Sequence, residues 1–260
     1  MTLAASTART HSMRFLVVSD IHSNATALSA ALEAAEGRWE QAICLGDVVG
    51  YGPDPNEVVE RVRGLVSGIV RGNHDKAVGG IGDPDDLNPV ARAAVDWTRA
   101  QLSPENLSYI AALPAGPRDA DGLTMVHGAY EDEDEYVFAP PQALSTLLAS
   151  PHEVTFFGHT HFQGGFSYRD SRLEMIRLQP PPGRPSFAAL RLEPGTRYLI
   201  NPGSVGQPRD GDPRAGFAIA DLDHSVVEFW RVPYNIQSVQ ERMKKAGLPE
   251  PLAMRLAFGH

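Results

Sequence analysis

Five short apolar runs in the 260-residue chain each end at side chains that can donate a lone pair to a cation. Phe15-Leu16-Val17-Val18 leads into Ser19-Asp20-Ile21-His22. Ala42-Ile43-Cys44-Leu45 leads into Gly46-Asp47, and Gly68-Ile69-Val70 into Arg71-Gly72-Asn73-His74-Asp75. Leu123-Thr124-Met125-Val126 is followed by His127-Gly128, and Val154-Thr155-Phe156-Phe157 by Gly158-His159-Thr160-His161. Five of the nine histidines fall at these run ends, which marks them as a set. His11, His152, His224 and His260 lie in a tail, a loop, a turn and the C-terminus, and are read as solvated. Imidazole, carboxylate and amide donors without a thiolate suit manganese, iron or zinc better than magnesium or calcium. Seven or eight donors exceed the four of one tetrahedral zinc, so two ions are the natural count. Two such ions roughly 3.5–4 Å apart can hold both oxygens of an in-line displacement at phosphorus and supply hydroxide near neutral pH.

That chemistry requires the five run ends to meet. Short buried runs separated by helical patterns read as strands of an α/β sheet, whose ligands bind beyond the carboxyl ends of the strands. Residues 24–36 place Ala27, Leu28, Ala31, Leu32 and Ala35 on one helical face. Asp54-Pro55-Asn56-Glu57 predicts a helix start with Asp54 as the capping carboxylate. Asn88-Pro89 and Ser103-Pro104 predict helices near 89–101 and 104–112, and another is expected near 141–149. Residues 162–178 and 197–232 alternate as strands do, with turns at Arg169-Asp170 and Leu222-Asp223-His224. Pro180-Pro181-Pro182-Gly183 is a turn or short linker, and 235–258 is helical with a break near Gly247-Leu248-Pro249.

Composition narrows the classes. With 42% hydrophobic and 21% charged residues the chain is globular rather than disordered or fibrous. Twenty-three Lys and Arg against 32 Asp and Glu give a net charge of −9, which argues against a nucleic acid partner. The single cysteine, Cys44, excludes an internal disulfide and a cysteine-rich zinc site. No apolar run approaches the length of a membrane span, and residues 1–12 lack the core of a signal peptide, so a cytoplasmic protein without a membrane partner is expected. Residues 1–12 are read as a flexible extension and 13–260 as one domain, with a helical insertion at about 76–120 that has no strand run of its own.

Taken together, Asp20-Ile21-His22, Gly46-Asp47-Val48-Val49-Gly50, Gly72-Asn73-His74-Asp75, His127 and Gly158-His159-Thr160-His161 resemble the five signature blocks of the calcineurin-like metallophosphoesterases, in the family's order. Asn201-Pro202-Gly203-Ser204-Val205-Gly206-Gln207-Pro208-Arg209 resembles a further block of the small bacterial branch around YfcE-type phosphodiesterases. The resemblance implies a four-layer α-β-β-α sandwich of two mixed sheets flanked by helices. It implies that Asp20, His22 and His161 hold one divalent metal, that Asn73, His127 and His159 hold a second, and that Asp47 and a hydroxide bridge them. His74 would contact the phosphate or the leaving group, with Asp75 orienting its imidazole. Manganese or iron is expected first and zinc as the alternative. The expected substrate is a small-molecule phosphoester, first a phosphodiester, then a phosphomonoester (a phosphoprotein included), then a dinucleoside polyphosphate, with a non-catalytic scaffold of the same fold as the competing class.

One departure concerns substrate binding. The protein phosphatases and dinucleoside tetraphosphatases carry an Asp-Arg pair after the second block, where this chain reads Gly50-Tyr51-Gly52-Pro53. Arg71, Arg209 and Arg214 are the candidates to replace the missing arginine. The run Glu131-Asp132-Glu133-Asp134-Glu135 is expected to be a solvated acidic loop, or else a rim that repels polyanions. Tyr51, Trp97 and Tyr136 are expected to pack, with stacking on an aromatic leaving group as their alternative role.

Overall fold

The computed structural model describes residues 13–82 and 87–260, so the expected N-terminal extension lies outside the described residues. In chain order the first half comprises β1 (Arg14–Val18), α1 (Ala25–Ala35), β2 (Gln41–Cys44), α2 (Pro55–Leu65), β3 (Gly68–Ile69), α3 (Asn73–Gly79), α4 (Pro89–Gln101), α5 (Pro104–Ala111), β4 (Arg118–Ala120) and β5 (Leu123–Met125). The second half comprises α6 (Pro140–Ala149), β6 (Val154–Phe156), β7 (Gly164–Arg169), β8 (Arg172–Ile176), β9 (Ser186–Arg191), β10 (Arg197–Asn201), β11 (Ala215–Asp221), β12 (Val226–Val232), α7 (Ile236–Lys245) and α8 (Glu250–Arg255).

The strands form two six-stranded mixed sheets, ordered β3-β2-β1-β11-β12-β9 and β4-β5-β6-β10-β7-β8. Side chains alternate across each sheet, and the alternation builds the layers. Phe15 and Val17 of β1 join Ile43, Phe156, Ile200 and Phe229 in the core between the sheets. Leu16 and Val18 face the other way, onto α1 and α2 through Leu28, Ala31, Val58 and Val62. On the outer face of the second sheet, Leu199 and Phe166 pack on Ala143 and Leu147 of α6. The result is the expected α-β-β-α sandwich. Among the described residues, no helix is long and apolar enough to cross a membrane.

Parallel pairing decides where the loops go. β1, β2 and β3 run parallel to one another, as do β5, β6 and β10. Each trio therefore opens its carboxyl ends on one edge of its sheet, and the outer strands return antiparallel.

Three expectations change. The segment 76–120 is helical through α3, α4 and α5, but it ends in β4, which pairs antiparallel with β5. β4 is a largely exposed edge of sequence Arg-Asp-Ala and so carries no apolar run to read. β9 was not expected either, because half of its side chains are exposed and two of the six residues are alanine. Asp54 makes no side-chain cap on its own helix α2. Its Oδ2 accepts instead from Ala25 N at the start of α1 at 3.3 Å, and the same carboxylate receives Arg242 of α7 at 2.9 and 3.1 Å. One side chain thus joins three helix ends. Asp54→Ala should lower the unfolding free energy by about 1 kcal/mol, with Asp54→Asn recovering part of the loss; urea unfolding of the three proteins checks this.

Candidate metal centre

The loops after the parallel strands are stitched together before any side chain is considered. Asp20 N donates to Gly46 O at 3.0 Å, and His22 N to Asp47 O at 2.9 Å. In the second sheet Gly158 N donates to His127 O at 2.8 Å. Gly72 has to be glycine: a Cβ there would collide with Asp47 Oδ1 and stand 2.5 Å from Asp47 N. The loops turn sharply, and Asp20, His22, Asp47, Tyr51, His159 and His161 all have left-handed backbones, with φ between 47 and 64°. Such conformations cost non-glycine residues on the order of 1–3 kcal/mol each and persist only where their surroundings over-determine them.

The side chains converge on two buried groups, Asp20 with His22, Asp47 and His161, and Asp47 with His127 and His159. Within each group one donor atom per residue lies within 4.8 Å of the others. Asp47 belongs to both groups, and its Oδ2 lies 3.5 Å from His22 Nε2 and 3.6 Å from His127 Nε2. Asn73 presents a buried Oδ1, and Asp20 a buried Oδ2, that have no hydrogen-bond partner.

The imidazoles supply the sharpest constraint. His22 Nε2 faces His161 Nε2 at 3.1 Å, and His127 Nε2 faces His159 Nδ1 at 3.1 Å. The opposite nitrogen of every ring meets a backbone carbonyl. His22 Nδ1 meets Val49 O at 3.1 Å, His161 Nδ1 meets Gln207 O at 2.5 Å, His127 Nδ1 meets Leu45 O at 2.7 Å, and His159 Nε2 meets Asp134 O at 3.0 Å. A carbonyl only accepts, so each of those nitrogens carries the proton. The nitrogens that face each other are then bare lone pairs, which repel unless a cation lies among them. Carbonyl partners of this kind fix the tautomer of metal-ligating histidines. The donor set therefore fits two divalent cations.

The electrostatics agree. Burial pushes the imidazoles of His22, His159 and His161 down, His159 to about 2, so they remain uncharged. At His127 burial is outweighed by Asp47 and Asp20, which raise it, so positive charge is favoured between His127 and His159. Burial pushes the Asp47 carboxyl up to about 8, with Asp20 and Asp75 adding to the rise and His127 opposing it. Burial would raise Asp20 too, but His161 overcomes it and holds that carboxyl low. Carboxylates packed this closely without cations are costly to ionise together.

A family model for the calcineurin-like phosphoesterase superfamily domain matches residues 13–225. The chain belongs to that superfamily. An uncharacterized protein of Methanocaldococcus jannaschii is 35% identical over 247 residues, 94% of this chain and 97% of its own. A metallophosphoesterase from Sphaerobacter thermophilus is similar at a TM-score of 0.79 and 41% identity, across 96% of this chain and 100% of that one. A hypothetical protein from Pyrococcus horikoshii OT3 shares the fold at a TM-score of 0.73 and 22% identity, across 95% and 98% of the two chains. The chain is a metal-dependent phosphoesterase with His and Asp clusters of the kind that hold divalent metals.

In this phosphoesterase the ligand candidates Asp20, His22, Asp47, His127, His159 and His161 come together, and Asn73, with its unpartnered buried Oδ1, lines the same cavity as His159. Other expectations need correction. Asp75 does not orient the His74 ring. Its carboxylate accepts from the backbone N–H groups of Gly72, Val48 and Val49 at 3.0–3.3 Å and so ties the second loop to the third. The wall behind His74 is Tyr51, whose ring centroid lies 4.2 Å from that of His74 and 4.6 Å from that of His22. Arg71 is committed to Glu133, with contacts at 2.7–3.3 Å. Glu133 also takes Lys76 at 3.0 Å, so the acidic loop is neither simply solvated nor a free repelling rim. Arg214 is spent on Asp212 and the Pro180 and Pro181 carbonyls. Arg209 meets no carboxylate among the described residues; it stands 5.9 Å over the Tyr51 ring. His152 and His224 pair with Asp119 and Asp221, away from the centre. Asn201, at the end of β10, donates to Gly158 O and Thr160 Oγ1 and so holds the loop carrying His159 and His161.

Because Asp47 belongs to both groups, Asp47→Ala should lose both metals, whereas His159→Ala should lose one. Elemental analysis after dialysis checks the stoichiometry. Chelation should lower the thermal midpoint by several degrees, and added Mn²⁺ should restore it.

Proposed function

We propose that the enzyme hydrolyses a small-molecule phosphodiester in the cytoplasm, with manganese or iron as its two metals. The observation that carries this reading is the neutral, aromatic wall on the Asn73 side of the centre. A cavity of about 380 Å³ opens there, lined by Asn73, His74, His159, Tyr51 and Tyr136, with Leu87, Asn88 and Ala91 from α4 and its approach above. Tyr136 stacks on the His159 ring at 3.7 Å between centroids. The cations near this wall, Lys76 and Arg71, are already neutralised by Glu133 and Asp134. The side-chain cation that lines this cavity, Lys76, is thus already paired and would offer a bare phosphate dianion little, whereas the organic substituent of a diester would find a ring to lie against. The mixed nitrogen and oxygen donors, without thiolate, suit manganese, iron or zinc, and the family resemblance puts manganese or iron first.

When bound, the two cations would neutralise charge on the phosphoryl oxygens and provide hydroxide near neutral pH. The protein's own groups supply the remainder. Hydrolysis joins a water oxygen to phosphorus and breaks the bond to the leaving alcohol, which departs with the proton that the water gives up. His74 is held uncharged at neutral pH, its pKa pushed down to about 3 by burial and by Arg209. It therefore acts as a hydrogen-bond donor to the departing oxygen rather than as a standing cation. Its Nδ1 is buried and has no protein partner. Tyr51 fixes the ring on one face, and the His74 backbone N–H donates to Asp47 Oδ1 at 2.9 Å.

The deciding experiment is hydrolysis of bis-p-nitrophenyl phosphate beside p-nitrophenyl phosphate, after chelation and return of Mn²⁺. Metal-restored turnover of the diester is expected. Turnover of the monoester alone would move the assignment to a phosphomonoesterase. His74→Ala should keep both metals and lose on the order of a hundredfold or more in turnover. Near-normal rates with that variant would remove His74 from the mechanism.

A further inference from the structure

Beyond Tyr51, at the edge of the neutral wall, the surroundings of the centre have the reverse character. Arg209 follows β10 in the loop that supplies Gln207, and its backbone N–H reaches His161 O at 3.4 Å. Arg255 comes from α8, at the far end of the chain. The two guanidinium groups converge on one atom: Arg209 Nη2 and Arg255 Nη1 donate to Gln207 Oε1 at 3.1 and 3.2 Å. Both also lie 5.9 Å from the centroid of the Tyr51 ring, which walls His22 and His74. Neither arginine has a carboxylate partner among the described residues, although Arg71, Arg214, Arg231 and Arg242 each have one.

Two like charges brought to a single amide oxygen are a poor arrangement for an empty protein surface. The nearby donors are also unsatisfied. Gln207 Nε2 and Arg209 Nε are buried without a hydrogen-bond partner, and Gln207 is only 1% exposed. Each lacks an acceptor, and a bound anion would provide one. Burial, together with the charge of Arg209, lowers the pKa of Arg255, as expected for cations held together without a counter-ion.

The pair is held in place by packing. Leu252 and Leu256, on either side of Arg255, are buried in the cluster that contains Tyr51, Val239 and Met243. The chain end is tied back through Gly211 N donating to Gly259 O at 3.0 Å. The C-terminal helices α7 and α8 thus deliver one arginine to the rim of a centre built by distant strands.

We propose that Arg209, Arg255 and Gln207 form an anion subsite beside the His22–His161 half of the centre, and that the substrate carries a second phosphate there in addition to the phosphoryl group that is cleaved. The proposal deepens the phosphodiesterase reading. One substituent of the ester lies against the neutral wall, and the other bears the phosphate that the arginines take. Arg255 is then a specificity-determining residue contributed by a segment outside the strand ends that hold the metals.

The test is calorimetric binding to the manganese-loaded enzyme of two non-hydrolysable probes, phenylphosphonate with one phosphoryl group and methylenediphosphonate with two. The wild type should bind methylenediphosphonate at least about tenfold more tightly. Arg255→Gln should cut that ratio to about twofold, and Arg255→Lys should keep an intermediate ratio, with metal content and thermal midpoint verified for each. No preference in the wild type would overturn the proposal. So would a preference undiminished in Arg255→Gln, which would place the second phosphonate on the metals. Equal loss for both probes would place the arginines on the cleaved group and overturn it as well. Binding is read without turnover, so failure to hydrolyse a diester would sink the phosphodiesterase reading while this subsite could still be scored.

Discussion

Bare imidazole lone pairs facing each other at 3.1 Å, twice over, around buried carboxylates are the constraint on which the structure turns. Nothing in a protein core favours that arrangement by itself, because it sets acceptor against acceptor and anion beside anion in a medium that screens weakly. It becomes favourable when cations occupy the space. Carbonyls of Leu45, Val49, Asp134 and Gln207 fix the ring tautomers, so shifting a proton from one nitrogen to the other of a ring does not relieve the lone pairs. Between His127 and His159, added positive charge is what the nearby Asp47 and Asp20 favour. The centre is committed to metal by its backbone as much as by its ligands.

Parallel strands make such a commitment possible. β1, β2 and β3 in one sheet, and β5, β6 and β10 in the other, present their carboxyl ends to the same place. Every metal-ligand candidate follows one of the first five of these strands, and the sixth supplies Asn201 and then the loop to Gln207 and Arg209. The antiparallel strands contribute none. Hydrogen bonds between successive loops, and the Asp75 carboxylate that spans Gly72, Val48 and Val49, hold the left-handed residues where they would otherwise relax. Asp75 acts through the backbone, which explains why a carboxylate adjacent to His74 in sequence has no contact with its ring.

This division also explains what was legible in the sequence. The ligands stood out because a polar residue directly after a buried apolar run has few structural uses, and five such sites reinforced one another. The sandwich followed from the same runs. β4 and β9 escaped because exposed edge strands need no apolar alternation, and Asp54 looked like a local cap because sequence spacing does not show a helix from elsewhere arriving at the same carboxylate. Tyr51 was weighed as a packing residue, and packing is its role, but against catalytic rings. The convergence of Arg209 with Arg255 had no local signal. It depends on the fold bringing a C-terminal helix back to the first strand-end loops, and on other arginines being consumed by carboxylates that the sequence alone does not pair.

The distribution of those pairings gives the site its polarity. Around the centre, Arg71, Arg214, Arg231 and Arg242 each meet a carboxylate, and Arg209 and Arg255 do not. Glu133 cancels Arg71 and shares Lys76 with Asp134, which leaves the Asn73 side neutral and lined by tyrosine rings. No carboxylate among the described residues performs that service for Arg209 and Arg255. A site that is charged on one flank and aromatic on the other discriminates by the order of groups along its substrate. A molecule with its phosphates and its ring in the reverse order would have to place charge against Tyr136 and leave two arginines without an anion. On the proposed two-phosphate substrate, orientation would be set by these flanks, since both donor clusters present a pair of imidazoles and share Asp47.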